Sequence, residues 1–272
     1  MEILNIDIVG GDTLSKQGSD WLWAVTAIYI VAFIGLLVLC FTAPESDRVF
    51  HYTFTCALLV GSVTYYAQAS GLGWIAIAQN DQPDHSLSRQ VFYAKYINWT
   101  VAFPSAALSL GLLSGISWTT IVTNIFISWF WVLTYLAASF TATSYKWGFF
   151  AFGTLGWVIL AMSTLNESRE SASRLGIGRD YITLSGWLNT LWLLYPIAFG
   201  LSDGASVIGT TSSFIFFGIL DVLMIPLLSF AFVILGRKWD YVKLNLAFSE
   251  HRSSAHSRKG ASSATEGMTS TP

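Results

Sequence analysis

Residues 216–226 read Phe-Phe-Gly-Ile-Leu-Asp-Val-Leu-Met-Ile-Pro, an apolar run with one acid, Asp221, at its centre. The run lies inside a longer apolar segment, 211–236. That segment is long enough to cross a bilayer, because a spanning helix needs about 20 mostly apolar residues. A charge inside such a segment is costly and usually marks function. The stretch therefore predicts a membrane helix with Asp221 as a candidate functional residue.

Composition extends this prediction to most of the chain. The 272 residues are 53% hydrophobic and 11% charged, whereas soluble domains carry about 25% charged residues. Windows of about 20 residues predict helices near 21–43, 51–71, 90–113, 118–140, 146–165, 180–202 and 211–236. We therefore expect an all-α seven-transmembrane helix bundle over 21–236. We expect residues 1–20 to form an extracellular segment and 237–272 to form a cytoplasmic tail. The tail is predicted to be disordered from about 250, because it is rich in Ser, Thr, Ala and Gly.

Basic residues gather on one side of the predicted membrane. With an odd number of spans the two termini lie on opposite sides. The basic residues on the side of the C-terminus are Arg48, Arg169, Arg174, Arg179, Arg237, Lys238, Lys243, Arg252, Arg258 and Lys259, and those on the other side are Lys16, Arg89 and Lys146. The positive-inside rule predicts a cytoplasmic C-terminus and an external N-terminus.

The polar loops, the cysteines and the motifs of the chain give no indication of an enzyme. The loop 79–86 is polar and is expected outside, while 166–171 should extend the fifth helix with alternating charges. Cys40 and Cys56 are interpreted as buried apolar residues rather than a disulfide. No metal-ligand cluster, nucleophile elbow or phosphate-binding glycine loop occurs. We expect no catalytic residue and no metal site.

Helical spacing places polar and aromatic residues of three spans on shared faces. These faces carry Lys95, Asn98, Trp99, Ala102 and Ser109 on the third span, Trp192, Tyr195, Pro196 and Phe199 on the sixth, and Phe214, Phe217, Asp221 and Ile225 on the seventh. In one interpretation they converge on a cavity that contains a buried ion pair of Lys95 with Asp221. In the other, the pair only fixes helix register and the aromatic residues are core packing. The two are compatible, because a pocket also needs walls.

Three motifs resemble the microbial rhodopsin family. Lys95-Tyr96-Ile97-Asn98-Trp99 followed by Pro104 is similar to the family's third-helix Arg-Tyr-x-Asp-Trp motif. Trp192-x-x-Tyr195-Pro196 resembles the sixth-helix motif, and Asp221-Val222-Leu223 the seventh. The resemblance covers nearly the whole chain except the tail. It implies the seven-helix rhodopsin fold. It also implies a vestigial retinal pocket or ligand-binding pocket, formed by Trp99, Trp192, Tyr195, Pro196, Phe199, Phe217, Asp221 and Ile225.

The same resemblance exposes departures from a light-driven pump. Ile225 stands where the family has the lysine that bonds retinal, and isoleucine has no amine for a Schiff base. Asn98 holds the proton-acceptor position and Ser109 the proton-donor position, both without a carboxylate. On the outward side Asp203 matches one proton-release acid, while Ser213 replaces the other. We expect no covalent retinal cofactor; noncovalent retinal stays open.

The pattern is similar to fungal opsin-related proteins that lack the lysine, which include yeast heat-shock-induced members. Three functions follow as alternatives. The first is a stress-related plasma-membrane protein that acts through a partner, such as a proton ATPase, or a small ligand. The second is a noncovalent receptor or carrier for retinal or another isoprenoid. The third is a channel or transporter that uses Lys95 and Asp221. Nucleic acid is not an expected partner, and the bilayer is.

Overall fold

The computed structural model describes residues 13–78 and 88–246. The polar loop predicted at 79–86, most of the predicted segment 1–20 and the predicted disordered tail lie wholly or largely outside the described residues. The described chain forms the predicted all-α bundle of membrane helices. Its helices are α1 (Lys16–Thr42), α2 (Val49–Ala69), α3 (Tyr93–Ser114), α4 (Trp118–Phe140), α5 (Lys146–Met162), α6 (Ser168–Arg174), α7 (Gly178–Phe199), α8 (Thr210–Met224) and α9 (Pro226–Gly236).

Within the described ranges, six helical stretches are long and apolar enough to cross a membrane. They are α1, α3, α4, the continuous stretch Lys146–Arg174, the stretch Gly178–Gly204 and the stretch Thr210–Gly236. The predicted second span, α2, is more polar but has 21 residues, or about 31 Å of helix. The hydroxyls of Thr53, Ser62 and Thr64 donate to carbonyls of their own helix; that of Ser62, for example, donates to the Leu58 carbonyl at 2.8 Å. Because α2 packs between α1 and α3, it completes the seven-helix bundle.

Three irregular turns interrupt the predicted spans. A π-helical turn, Ser163–Glu167, joins α5 to α6, so that the fifth helix continues through residues 166–171. A second π-helical turn, Gly200–Gly204, ends the sixth span. The predicted single helix 211–236 is divided at Ile225, because Pro226 has no N–H to donate and its ring disfavours a straight helix.

A short hairpin precedes α3 and was not predicted. Strands β1 (Trp74–Ala78) and β2 (Ser88–Phe92) pair antiparallel, with Trp74 opposite Phe92. The third helix consequently begins at Tyr93 rather than near residue 90.

The packed domain extends past the predicted boundary at Gly236. Trp239, Tyr241, Leu244 and Leu246 are all buried in the core cluster. The Trp239 indole donates to the Asp180 carboxylate at 2.9 Å. The segment 239–246 therefore covers the end of the bundle that carries the C-terminus, and a boundary at 236 is wrong for the described part of the tail.

Candidate functional site

Asp221 lies at the centre of the bundle near the end of α8. Its side chain is almost fully buried, with the residue only 1% exposed. A carboxylate removed from water is destabilised unless other groups hydrogen-bond to it. The surrounding helices supply such groups from several directions, and they form what we call the Asp221 cage.

The cage donors come from three different helices. The Tyr65 hydroxyl donates to Oδ2 of Asp221 at 2.5 Å, and the Tyr195 hydroxyl donates to Oδ1 at 2.5 Å. The Trp99 indole N–H lies 3.0 Å from Oδ1, and the Asn98 amide nitrogen lies 3.2 Å from Oδ2. Both carboxylate oxygens are therefore satisfied by neutral donors. Bonds of this kind to an ionised group are stronger than those between neutral partners.

Tyr29 of α1 completes the cage on the side of the Asp221 backbone. Its hydroxyl donates to the Asp221 backbone carbonyl at 3.1 Å, and its ring lies against the Tyr65 ring with centroids 5.1 Å apart. Gly61 makes this approach possible, since a Cβ at that position would lie 2.2 Å from a Tyr29 ring carbon. The Oδ1 atom of Asn98, buried beside the cage, has no hydrogen-bond partner among the described residues.

The predicted ion pair of Lys95 with Asp221 is wrong. The Lys95 ammonium pairs instead with Oδ2 of Asp203, and the Tyr96 hydroxyl donates to the same oxygen at 2.6 Å. The π-helical turn Gly200–Gly204 carries Asp203 to α3, a displacement that regular helical spacing does not predict. Within the described ranges Asp221 has no ion-pair partner.

The two charged sites are separated by aromatic rings. The Lys95 ammonium lies 4.7 Å from the centroid of the Phe217 ring, and the rings of Phe217 and Trp99 are 5.0 Å apart. A cation over an aromatic face is stabilised by the ring quadrupole. Lys95 is thus held by Asp203 and by aromatic faces, while Asp221 depends on its cage.

A cluster of aromatic rings lies beside the cage, between α3, α4 and α7. The Phe103 ring centroid is 4.8 Å from that of Trp131, 4.9 Å from Tyr195 and 6.2 Å from Trp192. Trp131 and Trp192 are also in ring contact, at 6.2 Å. We call Phe103, Trp131 and Trp192 the ring cluster.

Within the described chain, the other predicted site residues give no hydrogen bond to the Asp221 carboxylate. Phe199 packs against Tyr135 and Phe150, with centroids 4.4 and 5.7 Å apart. Pro196 is buried within α7. Ser109 is buried on α3, and its hydroxyl donates to its own helix, at the Ser105 carbonyl, rather than to a cage residue. Ile225 is fully buried one turn after Asp221, whose carbonyl accepts the Ile225 N–H at 3.0 Å.

Sequence reasoning missed Tyr29, Tyr65, Phe103 and Trp131. The two tyrosines lie on the first two spans, which carry no charge near them, and the other two residues are apolar positions among many. A tyrosine in mid-span is a weak signal, because its hydroxyl needs a buried partner that only the packing identifies. Among the described residues no group of His, Cys, Asp or Glu is arranged to hold a metal.

Comparison with known proteins agrees with this architecture. The chain is 33% identical over 253 residues to the opsin-like protein carO of Fusarium fujikuroi, a match that covers 89% of this chain and 82% of that protein. It is 28% identical over 286 residues to the 30 kDa heat shock protein of Saccharomyces cerevisiae, covering 95% of this chain and 85% of the relative.

Solved structures share the fold. LR (Mac) from Leptosphaeria maculans, described as a light-driven proton pump, superposes with a TM-score of 0.80 at 27% identity, over 84% of this chain and 99% of that chain. The sequence profile of the family "Bacteriorhodopsin-like protein" matches residues 18–235. This chain is therefore an integral membrane protein with opsin-like fungal relatives, and it belongs to the bacteriorhodopsin-like family.

Proposed function

We propose that the protein is a non-photochemical opsin-like membrane protein that forms no covalent bond with retinal. The observation that carries this proposal is the identity of residue 225. The resemblance places the retinal lysine at this position, and the whole stretch Thr210–Gly236 contains no lysine. A Schiff base needs a primary amine, which Ile225 does not have. The residues present therefore do not fit a covalently held retinal.

The environment of Asp221 supports the same proposal. In a protein with a protonated Schiff base, a buried carboxylate at the position of Asp221 would lie near that cation and balance its charge. Here the described residues give Asp221 four neutral donors instead. The cage stabilises the carboxylate without a chromophore, so the core can fold and persist as a purely protein interior.

The ring cluster favours this proposal over a noncovalent carrier of retinal or another isoprenoid. A polyene in the pocket that the resemblance implies would need room beside Trp192 and Tyr195. Phe103 already contacts Trp131, Tyr195 and Trp192 there. The channel or transporter hypothesis is also less favoured, because Lys95 is neutralised by Asp203 and separated from Asp221 by rings.

The cellular role that we propose is stress-related. Its support is the name of one relative, the 30 kDa heat shock protein of Saccharomyces cerevisiae. We place its N-terminus outside, on the distribution of basic residues. Location in the plasma membrane is what the resemblance to the fungal opsin-related proteins implies. We further propose that it acts through a second membrane protein, for which a proton ATPase is the candidate that the family resemblance implies.

The decisive experiment is an absorption spectrum of the purified protein after expression with and without all-trans retinal. We expect no visible band that hydroxylamine bleaches, and no saturable quenching of tryptophan fluorescence by retinal. A stable, hydroxylamine-sensitive pigment would contradict the proposal. Saturable quenching that is lost in Trp192→Ala would favour the noncovalent carrier instead.

The variant Ile225→Lys tests whether restoring the amine alone is enough to restore light-driven proton transfer. Even if this variant forms a pigment, we expect no light-driven pH change in vesicles. The reason is that Asn98 and Ser109 still offer no carboxylate for proton transfer. Light-driven acidification or alkalinisation by the single variant would show that this account of the proton pathway is wrong.

A further inference from the structure

A polar cavity that does not include Asp221 lies at the end of the bundle where α9 ends. It has a volume of about 200 Å³ and is enclosed by the end of α1, the 44–47 turn, the start of α2 and the end of α9. Its polar lining residues are Thr42, Asp47, His51, Arg237 and Tyr241. We call it the α1–α2–α9 cavity. None of the functions considered above uses it.

His51 is the first indication that the cavity receives a ligand. The residue is only 6% exposed, and its Nδ1 atom makes no hydrogen bond of normal geometry among the described residues, although the Asp47 backbone lies near the ring. Buried polar side-chain atoms nearly always have a partner. An imidazole on the cavity wall with an unsatisfied nitrogen can bind a polar group that enters the cavity.

The other groups favour an anion. Arg237 brings a guanidinium to the cavity, and within the described part of the chain it has no ion-pair partner. Arg48 stabilises the turn at the cavity edge, because its Nε and Nη2 atoms donate to the Ala43 carbonyl at 2.9 and 2.8 Å. Burial raises the pKa of Tyr241 to about 12, with Asp47 adding to the shift, so its hydroxyl remains a donor near neutral pH.

Asp47 favours an anion that carries a proton. An ionised carboxylate only accepts hydrogen bonds, and Oδ1 of Asp47 already accepts from the Ser46 hydroxyl at 2.7 Å. An anion without a proton would be repelled by this wall. A phosphate group that keeps one O–H can instead donate to Asp47 while its other oxygens accept from Arg237 and His51. Sulfate has a similar size but carries no proton near neutral pH.

We propose that the α1–α2–α9 cavity is a binding site for a protonated phosphate group, with Arg237 and His51 as donors and Asp47 as the acceptor of the phosphate O–H. The position of the cavity at the end of the spans lets the phosphate come from a lipid headgroup of the monoester type or from a soluble phosphate. The recognition chemistry is the same for both sources.

The test is calorimetric titration of the full-length protein in phosphatidylcholine nanodiscs, with inorganic phosphate and with sulfate. The titration is run at about pH 6, near the second pKa of a phosphate monoester. We expect saturable phosphate binding and much weaker sulfate binding.

The same titration in nanodiscs that contain phosphatidic acid identifies the source of the phosphate group. Suppression of phosphate binding assigns the site to the lipid, and unchanged binding assigns it to soluble phosphate. No saturable phosphate binding in phosphatidylcholine, or equal binding of phosphate and sulfate, overturns the proposal.

Two neighbouring basic residues provide a matched pair of variants. Arg237→Gln should weaken phosphate binding by about tenfold or more, because it removes a charge-assisted hydrogen bond. Lys238→Gln makes the same charge change at a residue that does not line the cavity, and should leave the affinity within about twofold. Asp47→Asn should abolish the preference for phosphate over sulfate. Unfolding midpoints of the variants show that each is folded. Equal losses in Arg237→Gln and Lys238→Gln would indicate only a general charge effect and refute the site.

Discussion

At the scale of single residues, Asp221 shows how a membrane interior accommodates a charge with no cation beside it in the described structure. Burying an unpaired carboxylate costs several kcal/mol. The hydroxyls of Tyr65 and Tyr195, each 2.5 Å from a carboxylate oxygen, offset much of that cost. The arrangement is reciprocal, because these buried donors also need Asp221. The residue therefore has a structural role that does not depend on retinal.

We expect Asp221→Ala to destabilise the protein by about 3 kcal/mol or more, since it leaves several buried donors without an acceptor. Asp221→Asn keeps one acceptor oxygen and should cost less. Unfolding by sodium dodecyl sulfate in mixed micelles, followed by tryptophan fluorescence, measures both. Asp20→Ala, at an exposed acid on α1, is the control. Equal stability of Asp221→Ala and the control would refute the structural role.

At the scale of the helices, the approach of α1 to α2 decides whether the cage can form. Tyr29 on α1 reaches the Asp221 carbonyl only by passing Gly61 on α2. No other residue type leaves room for the Tyr29 ring at this distance, so the requirement is for the absence of a side chain rather than for backbone freedom. The pairing of Asp203 with Lys95 likewise depends on local backbone geometry, because Asp203 lies in a π-helical turn.

Gly61→Ala should destabilise the bundle by about 1–3 kcal/mol, because overpacking forces Tyr29 away from Asp221. Gly186→Ala is the matched control. Nothing lies within 4 Å of a Cβ at Gly186, so alanine there should be neutral or stabilising by up to about 1 kcal/mol. Adding Tyr29→Ala to Gly61→Ala should give a smaller loss than the sum of the two single variants. Additive losses would mean that the two residues do not compete for space.

At the scale of the whole molecule, the segment 239–246 is part of the folded unit. Phe50 near the start of α2 packs against both Trp239 and Phe232, with ring centroids 5.8 and 5.1 Å apart. Trp239 also ties the segment to α7 through Asp180. The segment thereby connects the second, sixth and seventh spans at one end of the bundle and forms a wall of the α1–α2–α9 cavity through Tyr241.

Two truncations test this connection. A chain that ends at Leu246 should be as stable as the full-length protein, since the removed residues include few large apolar side chains that could add to a core. A chain that ends at Gly236 should lose about 3 kcal/mol or more, because it exposes Trp239, Tyr241, Leu244 and Leu246. Trp239→Ala in the full-length protein should lose part of that amount. Equal unfolding midpoints for the two truncations would exclude a structural role for the segment.

The amino-acid sequence by itself determined the membrane class, the approximate spans and the family resemblance. These follow from local properties, because in lipid each apolar run must satisfy its backbone hydrogen bonds within its own helix. It also determined that residue 225 has no amine. Helical periodicity correctly placed Asn98, Trp99, Tyr195 and Asp221 on buried faces, since a helix face is a property of one element.

Only the tertiary structure decided which buried groups meet. The pairing of Lys95 with Asp203, the closing of the cage by Tyr29 and the docking of Trp239 each join residues that are far apart in the chain. Such contacts depend on distances between helices, on a π-helical turn and on the space left by one glycine. Periodicity along a single helix carries no information about these distances. The charge on Asp221 was visible in the sequence, but the neutral donors that stabilise it were not.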